Sequence, residues 1–435
     1  MGTKCRTVRS PKPSRSHAWR RSTNQEHRET SAEQRPRIRY SGKQSTTLTD
    51  SIVQLTATDF EEAIAHLSLV FNDPNFAELV PALYEPTDQH MRCNLALRRN
   101  GRIAAIVGVF PIDWVVGGTH LRLAGIGGVS VHPDFRGQGL MRLLMDAAMF
   151  EIERGDYHAA CLGGNRRRYG HWGFEKAGVE ASFVVSANSL EHAARTQLQL
   201  GEKPLHIGAA TPADFSAMHA LYRQQPIHCT RSLESFPQHL HNWRRQPVVV
   251  RDSGGRIAGY ACFDPKDSTC VECCFESDAA LETFLSHQVA TAEQPLRIFA
   301  PLIRDARFNR LDDLADDFSM IEASNWRIYD WPAVFGALLK TKHDATPLVP
   351  GSCVITVNAA SEIATGAASK PTTFRMSVDD QVTCERCDDP PDLKGDASQL
   401  LRALASPLPS ELPRRANLLA HWKPLPLMIP MQDRI

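Results

Sequence analysis

The chain has 435 residues, more than one ordinary hydrophobic core accommodates, so two or three domains are expected. Its 42% hydrophobic and 23% charged residues are typical of a globular protein in water. The 49 basic and 49 acidic residues cancel, which argues against a protein-wide field for nucleic acid or membrane and leaves only a local patch open. No apolar run reaches the roughly 18 residues that a membrane span needs.

The N-terminal segment differs from this average. Its first 24 residues carry seven Lys or Arg side chains and no acidic one, as organellar transit peptides can. Pro11 and Pro13, however, interrupt any amphipathic helix there. We expect residues 1–48 to be a disordered basic tail, or the product of a translation start assigned too far upstream.

The 11 cysteines are too sparse for a disulfide scaffold, and with no secretory signal a reducing cytoplasm is expected. Two Cys-x-x-Cys pairs occur, at Cys270 and Cys273 and at Cys384 and Cys387. A zinc ribbon keeps its two pairs about 15 to 20 residues apart, far closer than these two pairs lie. Buried or incidental thiols are therefore favoured over a zinc site, and no metal is expected.

Alternating and helical patterns predict the first elements after the tail. Residues 52–55 read as a strand, and Thr58-Asp59 offers a cap for a helix over 60–67. Residues 94–110 predict a hairpin, because Asn100-Gly101 supplies the positive φ of a tight turn. The next strand, 121–131, contains three glycines; these mark a bulge or a close approach by another group, at Gly125, Gly127 and Gly128.

The clearest helix, 139–153, has one apolar stripe and a glycine, Gly155, just past its end. The stretch HPDFRGQGLM, residues 132–141, joins it to the preceding strand. A helix N-terminus attracts anions, glycines let its amides approach a ligand, and Arg136 adds a fixed charge. The junction is therefore equipped to hold a pyrophosphate, although a βα turn that binds nothing is the alternative.

Two further units are predicted downstream. Gly-Arg-Ile-Ala recurs in NGRIAAIVGVF (100–110) and GGRIAGYACF (254–263), which suggests that residues near 205–325 repeat the first fold, with chance as the rival explanation. From residue 326 onward, strands at 354–357 and 373–378 and a helix at 397–405 predict a third, α+β unit.

The order strand, Arg-x-x-Gly, long helix, strand resembles the acetyl-CoA loop of the GNAT N-acetyltransferases, which reads Arg/Gln-x-x-Gly-x-Gly/Ala. Arg136 and Gly139 match that loop, whereas Met141 departs from its last place. Together with YGHWGF (169–174), the loop resembles the enhanced-intracellular-survival (Eis) type, whose segment reads Tyr-Gly-x-Phe-Gly-Phe/Tyr. Trp172 stands here for the first Phe of that segment.

This resemblance implies an α/β and α+β architecture in which an acyl-CoA N-acyltransferase (GNAT) fold is duplicated and followed by a sterol-carrier-like domain. The catalytic GNAT domain would span 49–200, a degenerate GNAT-like domain 201–325, and the sterol-carrier-like α+β domain 326–435. The specific motifs that carry the resemblance lie only between residues 125 and 175.

The resemblance also implies the site. Tyr169 would protonate the departing CoA thiolate, and the C-terminal carboxylate, here on Ile435, would be the base. Acetyl-CoA, a co-substrate, would contact strand backbone, the pyrophosphate loop and the end of the next strand: Val129, Ser130, Val131, Arg136, Gly137, Gln138, Gly139, Leu140, Met141, Arg142, Gly164 and Asn165.

The implied chemistry is direct acetyl transfer to a primary amine in a ternary complex. Such an amine, with a pKa of about 10.4, attacks only when neutral, so a proton acceptor is needed. Asp146, Glu151 and His171 are alternative bases, and Ile435 in solvent is as tenable as Ile435 in the site. Tyr169 could also be an aromatic core residue.

The acceptor stays open between a polyamine or aminoglycoside-like compound and a peptide lysine or N-terminal amine. Arg166 to Arg168 could meet the CoA 3′-phosphate or form a solvated face, and one basic triplet is poor evidence for nucleic acid. A cytoplasmic protein without nucleic-acid or membrane partners is expected, and assembly of several copies is left open. The rival functions are a lipid-, acyl- or CoA-binding protein with a vestigial GNAT domain, and a regulatory scaffold.

Overall fold

A computed structural model describes residues 50–73, 75–196, 205–264, 266–292, 294–358 and 370–435. The predicted basic tail, 1–48, lies outside these residues. The strands are β1 Asp50–Gln54, β2 Asn94–Arg99, β3 Arg102–Val116, β4 Thr119–Val131, β5 Ala159–Leu162, β6 Glu175–Lys176, β7 Glu180–Val185, β8 His206–Ala209, β9 Ile227–Cys229, β10 Gln246–Arg251, β11 Ile257–Asp264, β12 Thr269–Phe275, β13 Leu296–Pro301, β14 Asp317–Ile321, β15 Asn325–Ile328, β16 Gly351–Val357, β17 Thr372–Val378, β18 Val382–Arg386 and β19 Leu393–Gly395.

The α-helices lie between these strands or follow them. In chain order they are α1 Phe60–Phe71, α2 Phe76–Leu79, α3 Asp88–Met91, α4 Leu140–Arg154, α5 Arg166–Tyr169, α6 Ala187–Thr196, α7 Phe215–Tyr222, α8 Phe236–His241, α9 Asp278–Thr291, α10 Ala306–Leu314, α11 Trp331–Ala345, α12 Ala397–Ala405 and α13 Leu419–Trp422. No helix of the described ranges is long and apolar enough to cross a membrane.

The first sheet has the order β1-β2-β3-β4-β5-β15-β6, and β9 pairs with the far end of β3. Its only parallel pair is β4 with β5, from Leu123 opposite Ala159 to Ile126 opposite Leu162. Beyond Ile126, β4 continues to Val131 while β5 has ended. The two parallel strands therefore separate and leave an opening in the sheet, at the end where α4 begins.

The second sheet has the order β14-β7-β13-β12-β11-β10-β8. Read from β8, it repeats the first sheet place by place, with β12 and β13 as its parallel pair. One strand of each sheet comes from the other half of the chain: β7 pairs between β13 and β14, and β15 pairs between β5 and β6. Each half thus completes the sheet of the other.

The two halves also begin alike. Thr56 and Asp59 form a capping box before α1, and Thr211 and Asp214 form the same box before α7. Each of these aspartates pairs at 2.6 Å with an arginine of the second strand, Arg98 or Arg251. Of the predicted cap Thr58-Asp59, Asp59 is the N-cap position of α1, and Thr56 caps the short 3-10 turn that precedes this helix.

The third unit is a four-stranded sheet, β18-β17-β16-β19, with α11 and α12 against it. Its predicted strands and helix are confirmed as β16, β17 and α12. Trp331 stacks on Phe335 in its core, at 5.2 Å between ring centroids. The core is continuous with that of the first sheet, where Trp114 and Trp326 lie 5.6 Å apart.

The two Cys-x-x-Cys pairs lie in different sheets. Cys270 and Cys273 are buried in β12, whereas Cys384 belongs to β18 and Cys387 follows that strand. In the part of the chain that the structure describes, no three His, Cys, Asp or Glu side chains group as metal ligands.

Candidate active site

The strand-to-helix junction is built from glycines with left-handed backbone. Gly137 and Gly139 have φ of +75° and +76°, and a Cβ atom on either would meet no atom within 4 Å. These positions therefore need glycine for their backbone conformation, since space is not the constraint. Gly139 is the N-cap of α4, so the first-turn amides of this 15-residue helix face an open part of the surface.

The side chains of the junction divide between solvent and core. Arg136 and Arg142 are exposed, and Arg142 lies 2.9 Å from Nε2 of His171. Gln138 accepts a hydrogen bond from Arg99. Leu140 and Met141 pack into the core between α4 and the sheet, which explains why a methionine stands where the GNAT loop has a small residue.

The opening between β4 and β5 is lined by the predicted strand residues. Val129, Ser130 and Val131 lie beyond the last β4–β5 pair. Ser130 is buried, and its Oγ lies 3.0 Å from both the Gly128 carbonyl oxygen and Nε2 of His66. These contacts stabilise the part of β4 that no longer pairs with β5.

Gly164 and Asn165 lie on the other side of the opening. Gly164 has φ of +100°, and its carbonyl accepts a 3.1 Å hydrogen bond from Nδ2 of the buried Asn325. Asn165 caps α5 by accepting a hydrogen bond from the Arg167 amide at 2.9 Å. The role of Asn325 was not predicted, because it comes from the exchanged strand β15.

The three glycines of β4 mark close approaches, as predicted. A Cβ atom on Gly125 or Gly127 would overlap the side chain of Ile435, and one on Gly128 would lie 2.6 Å from the Tyr84 hydroxyl. The last residue of the sequence therefore lies flat on the strand at the start of the opening. Any larger side chain at Gly127 would displace it.

The residues before Ile435 hold it there. Gln432 is fully buried and donates to the carbonyl of Leu240 at 2.9 Å, while Asn242 donates back to the Gln432 carbonyl at 3.1 Å. Nε1 of Trp243 donates to the Arg434 carbonyl at 3.2 Å. Trp243 itself has φ of +63°, a strained value for a tryptophan that the surrounding contacts maintain.

Tyr169 is the last residue of α5, the short helix that follows β5, and is only 6% exposed. A Cβ atom on Gly164 would lie 3.2 Å from its ring, and one on Gly163 would lie 3.8 Å from a carboxyl oxygen of Ile435. The two residues predicted to be catalytic therefore flank adjacent glycines. Burial raises the pKa of the Tyr169 hydroxyl despite the charge of Arg168, so the hydroxyl keeps its proton at neutral pH.

The alternative bases are placed elsewhere. Asp146 accepts a 2.7 Å hydrogen bond from Nε1 of Trp172, and Glu151 is exposed on α4. His171 is exposed beside Arg142. Asp146 therefore orients the indole of the YGHWGF segment. The contacts described for these three residues do not place any of them beside Ile435.

Two buried polar side chains of the site were missed from the sequence. Burial and the neighbouring His132 lower the pKa of His66 to about 4, so His66 is neutral against Ser130. The hydroxyl of Tyr84 has no hydrogen-bond partner among the described residues and lies at Gly128. His66 falls within a predicted helix, but nothing in the sequence indicates that it faces β4.

A cleft of about 740 Å³ includes Ile435 in its lining. Its wall combines the segment before β2, strand β3, the second half of the chain and the C-terminal residues. Ile435 lines it, as do the following titratable side chains: Glu85, His90, Asp113, Glu234, His239, Asp433 and Arg434. Asp113 accepts a 2.6 Å hydrogen bond from the Thr230 hydroxyl, and Glu85 lies 3.8 Å from Nδ1 of His90.

A family model and solved structures are similar to this chain. Residues 51–177 match the family model of the acetyltransferase (GNAT) domain. These residues are therefore similar to a GNAT domain. A comparison with curated protein sequences gave no match.

Solved structures share the fold over most of the chain. A GCN5-related N-acetyltransferase from Kribbella flavida has a TM-score of 0.60 at 15% identity, over 89% of this chain and 99% of that one. One from Anabaena variabilis has a TM-score of 0.58 at 17% identity, over 86% and 93%. Eis1 from Mycobacterium abscessus has a TM-score of 0.55 at 17% identity, over 81% and 89%. The predicted GNAT fold is thus confirmed, as an α/β fold with several mixed sheets.

Proposed function

We propose that this protein is an N-acetyltransferase that moves acetyl from acetyl-CoA directly to a primary amine in a ternary complex. The observation that carries the proposal is the meeting of three features at one opening in the sheet. These are the glycine junction at the start of α4, Tyr169 at the end of α5 beside Gly164, and Ile435 on the glycines of β4. Cofactor and acceptor would enter from opposite sides.

The described residues fit acetyl-CoA. The amides of 136–142 and the side chains of Arg136 and Arg142 would hold the pyrophosphate, because no atom lies within 4 Å of a Cβ atom built on either junction glycine. The backbone of 129–131, no longer paired with β5, would meet the pantetheine arm, and Gly164 and Asn165 would close the other side. The thioester would then lie near Tyr169.

The chemistry needs one base and one acid. The Ile435 carboxylate takes a proton from the acceptor ammonium, and the neutral nitrogen then attacks the thioester carbon. The carbon–sulfur bond breaks, and the nitrogen releases its second proton to solvent. Tyr169 donates its hydroxyl proton to the departing thiolate. The position of the Tyr169 ring beside Gly164 supports this assignment, because Gly163, the preceding residue, lies beside the Ile435 carboxyl group.

The cleft supports a cationic acceptor. Glu85, Asp113 and Glu234 line its wall, and carboxylates attract ammonium groups of a polyamine, an aminoglycoside-like compound or a peptide lysine.

The ten described cysteines are free thiols, which is consistent with a reducing, cytoplasmic compartment.

We further propose that the chain contains a duplicated GNAT unit, 49–200 and 201–325, followed by a sterol-carrier-like unit, 326–435. The matching strand orders, capping boxes and Asp–Arg pairs of the two halves support duplication. In the second half, the turn from β12 to α9 reads Glu276-Ser277 and has no glycine. That half would therefore not bind CoA.

Calorimetric titration with acetyl-CoA, together with an assay of acetyl transfer to amines, tests the proposal. We expect binding that is lost when Arg136→Ala is combined with Gly139→Asp, because both the charge and the approach to the amides are removed. Binding that survives the double substitution contradicts the cofactor site. Binding without turnover on any amine favours a non-catalytic CoA-binding protein.

A further inference from the structure

A buried cluster of charged side chains lies outside the proposed acetyl-CoA site, at Arg231 of the second half. The guanidinium of Arg231 is fully buried and forks onto two carboxylates. It donates to Asp433 from Nε at 2.8 Å and from Nη2 at 2.7 Å. It donates to Glu272 from Nη1 at 3.1 Å and from Nη2 at 2.6 Å.

Two tyrosines complete the cluster. Tyr222 donates to Asp433 at 3.0 Å and lies under the Arg231 guanidinium, 3.9 Å from ring centroid to Cζ. Tyr260 donates to Glu272 at 2.8 Å. Burial opposes ionisation of Asp433, but the charge of Arg231 holds its pKa below the usual value. A buried, bidentate ion cluster of this kind fixes geometry more than it adds stability.

What this cluster fixes is the end of the chain. Asp433 is two residues before Ile435 and is the only acidic residue after Glu411. Arg231 and Asp433 are 202 positions apart, so their contact ties the second half to the C-terminal tail, residues 428–435. Ile435 follows within two peptide units, which leaves its carboxylate little freedom to move.

The tail reaches this anchor through the second sheet. β12 and β13 pair only at Thr269 with Arg297 and at Cys270 with Ile298. Beyond that point Met428, Pro430 and Met431 lie with Cys274 and Phe299 around a residual cavity of about 50 Å³. The tail thus occupies, in the second sheet, the place that corresponds to the opening between β4 and β5.

We propose that Arg231 is a positioning residue, which acts through Asp433 to hold the Ile435 carboxylate where an acceptor amine loses its proton. This inference rests on the proposed function and gives the second half a task in the reaction. The half would not bind acetyl-CoA; it would hold the base.

Arg231→Lys and Asp433→Asn test the inference, with Arg251→Lys as the matched control. Arg251 also pairs with a carboxylate of the second half, Asp214, but does not contact the tail. Lysine keeps the charge and loses the fork, and asparagine keeps the shape and loses the charge. Each protein is assayed with an alkyl amine, protonated at pH 7, and with a carboxylic hydrazide, neutral at pH 7.

We expect kcat for the alkyl amine to fall by a factor on the order of 10 to 100 in both test variants, with KM for acetyl-CoA unchanged. The rate with the hydrazide should change little, because this acceptor needs no base to become nucleophilic. Carboxypeptidase should release Ile435 faster from both variants than from the wild type, at equal thermal stability of the GNAT domain. The Arg251→Lys control should match the wild type in all three measurements.

Equal losses on both acceptors overturn the inference, since they indicate a general structural role for Arg231. Unchanged rates with an unchanged release of Ile435 overturn it as well, while the proposed transferase function stands. A wild-type protein that acetylates neither acceptor contradicts the proposed function itself, and the inference with it.

Discussion

The terminal Ile435 lies flat against Gly127 of β4. A side-chain carbon on Gly127 would overlap Cγ2 of Ile435 and would lie 3.4 Å from its carboxyl carbon. A central strand does not favour glycine, so this residue is explained by what approaches it. The same strand carries the residues proposed to meet acetyl-CoA, and the chain end therefore lies where the acetyl group would be transferred.

Gly127→Ala tests this relationship by steric displacement. We expect kcat to fall by a factor on the order of 10 to 100, because the base moves by about an ångström. Overpacking should cost only about 1–3 kcal/mol in the free energy of unfolding. Steady-state kinetics and chemical denaturation measure the two effects. Gly170→Ala is the control, since a Cβ atom there meets nothing within 4 Å; equal activity of the two variants would refute the steric account.

Tyr169→Phe removes the proposed acid and keeps the ring. We expect kcat to fall by about 100-fold or more, whereas the dissociation constant of acetyl-CoA should change little. Single-turnover kinetics and calorimetry separate the two quantities. Tyr157→Phe, at a half-buried tyrosine that lies under Arg122, is the control. If the phenylalanine variant at 169 turned over at the wild-type rate, Tyr169 would be only a core residue.

His66 should make the fold sensitive to acid. Burial and His132 lower its pKa from 6.5 to about 4, so the unfolded chain takes up a proton over this range and the folded chain does not. His66 therefore does not reduce the free energy of unfolding above pH 6.5. As the pH falls from 6.5 towards 4, the free energy of unfolding decreases by about 3 kcal/mol because of this residue. Urea denaturation between pH 7 and pH 4 measures the slope.

His66→Gln should make that slope shallower, whereas His206→Gln, at an exposed position, should leave it unchanged. If the slope is the same in all three proteins, the acid sensitivity has another source. In that case, His66 is not held neutral by burial beside Ser130 in the folded protein.

Local signals predicted much of the GNAT half. The alternation and turn residues of 94–110 gave the β2–β3 hairpin, the apolar stripe of 139–153 gave α4, and Gly137 with Gly139 gave the open junction. The glycines of β4 were also informative, because a strand tolerates them only for a reason. In each case the decisive residues are close in sequence, so a local sequence pattern is enough to predict the local structure.

The rest depends on contacts between distant residues. β15 enters the first sheet and β7 the second, an exchange that no strand pattern encodes. Arg231 and Asp433 are far apart in sequence, and neither has a local partner that would indicate a buried cluster. His66 lies within an ordinary helix, α1, and Tyr84 lies in the loop between α2 and α3. Their orientation towards β4 follows from packing alone.

The most direct test of the account is the rate of acetyl transfer to an alkyl amine after the chain is extended beyond Ile435 by two residues, Gly-Ser. The extension removes the carboxylate from Ile435 and leaves Arg136, Tyr169 and the Arg231 cluster intact. We predict that turnover is lost while acetyl-CoA binding and thermal stability stay at wild-type values. An extended protein that acetylates the amine at the wild-type rate would contradict the assignment of the terminal carboxylate as the base.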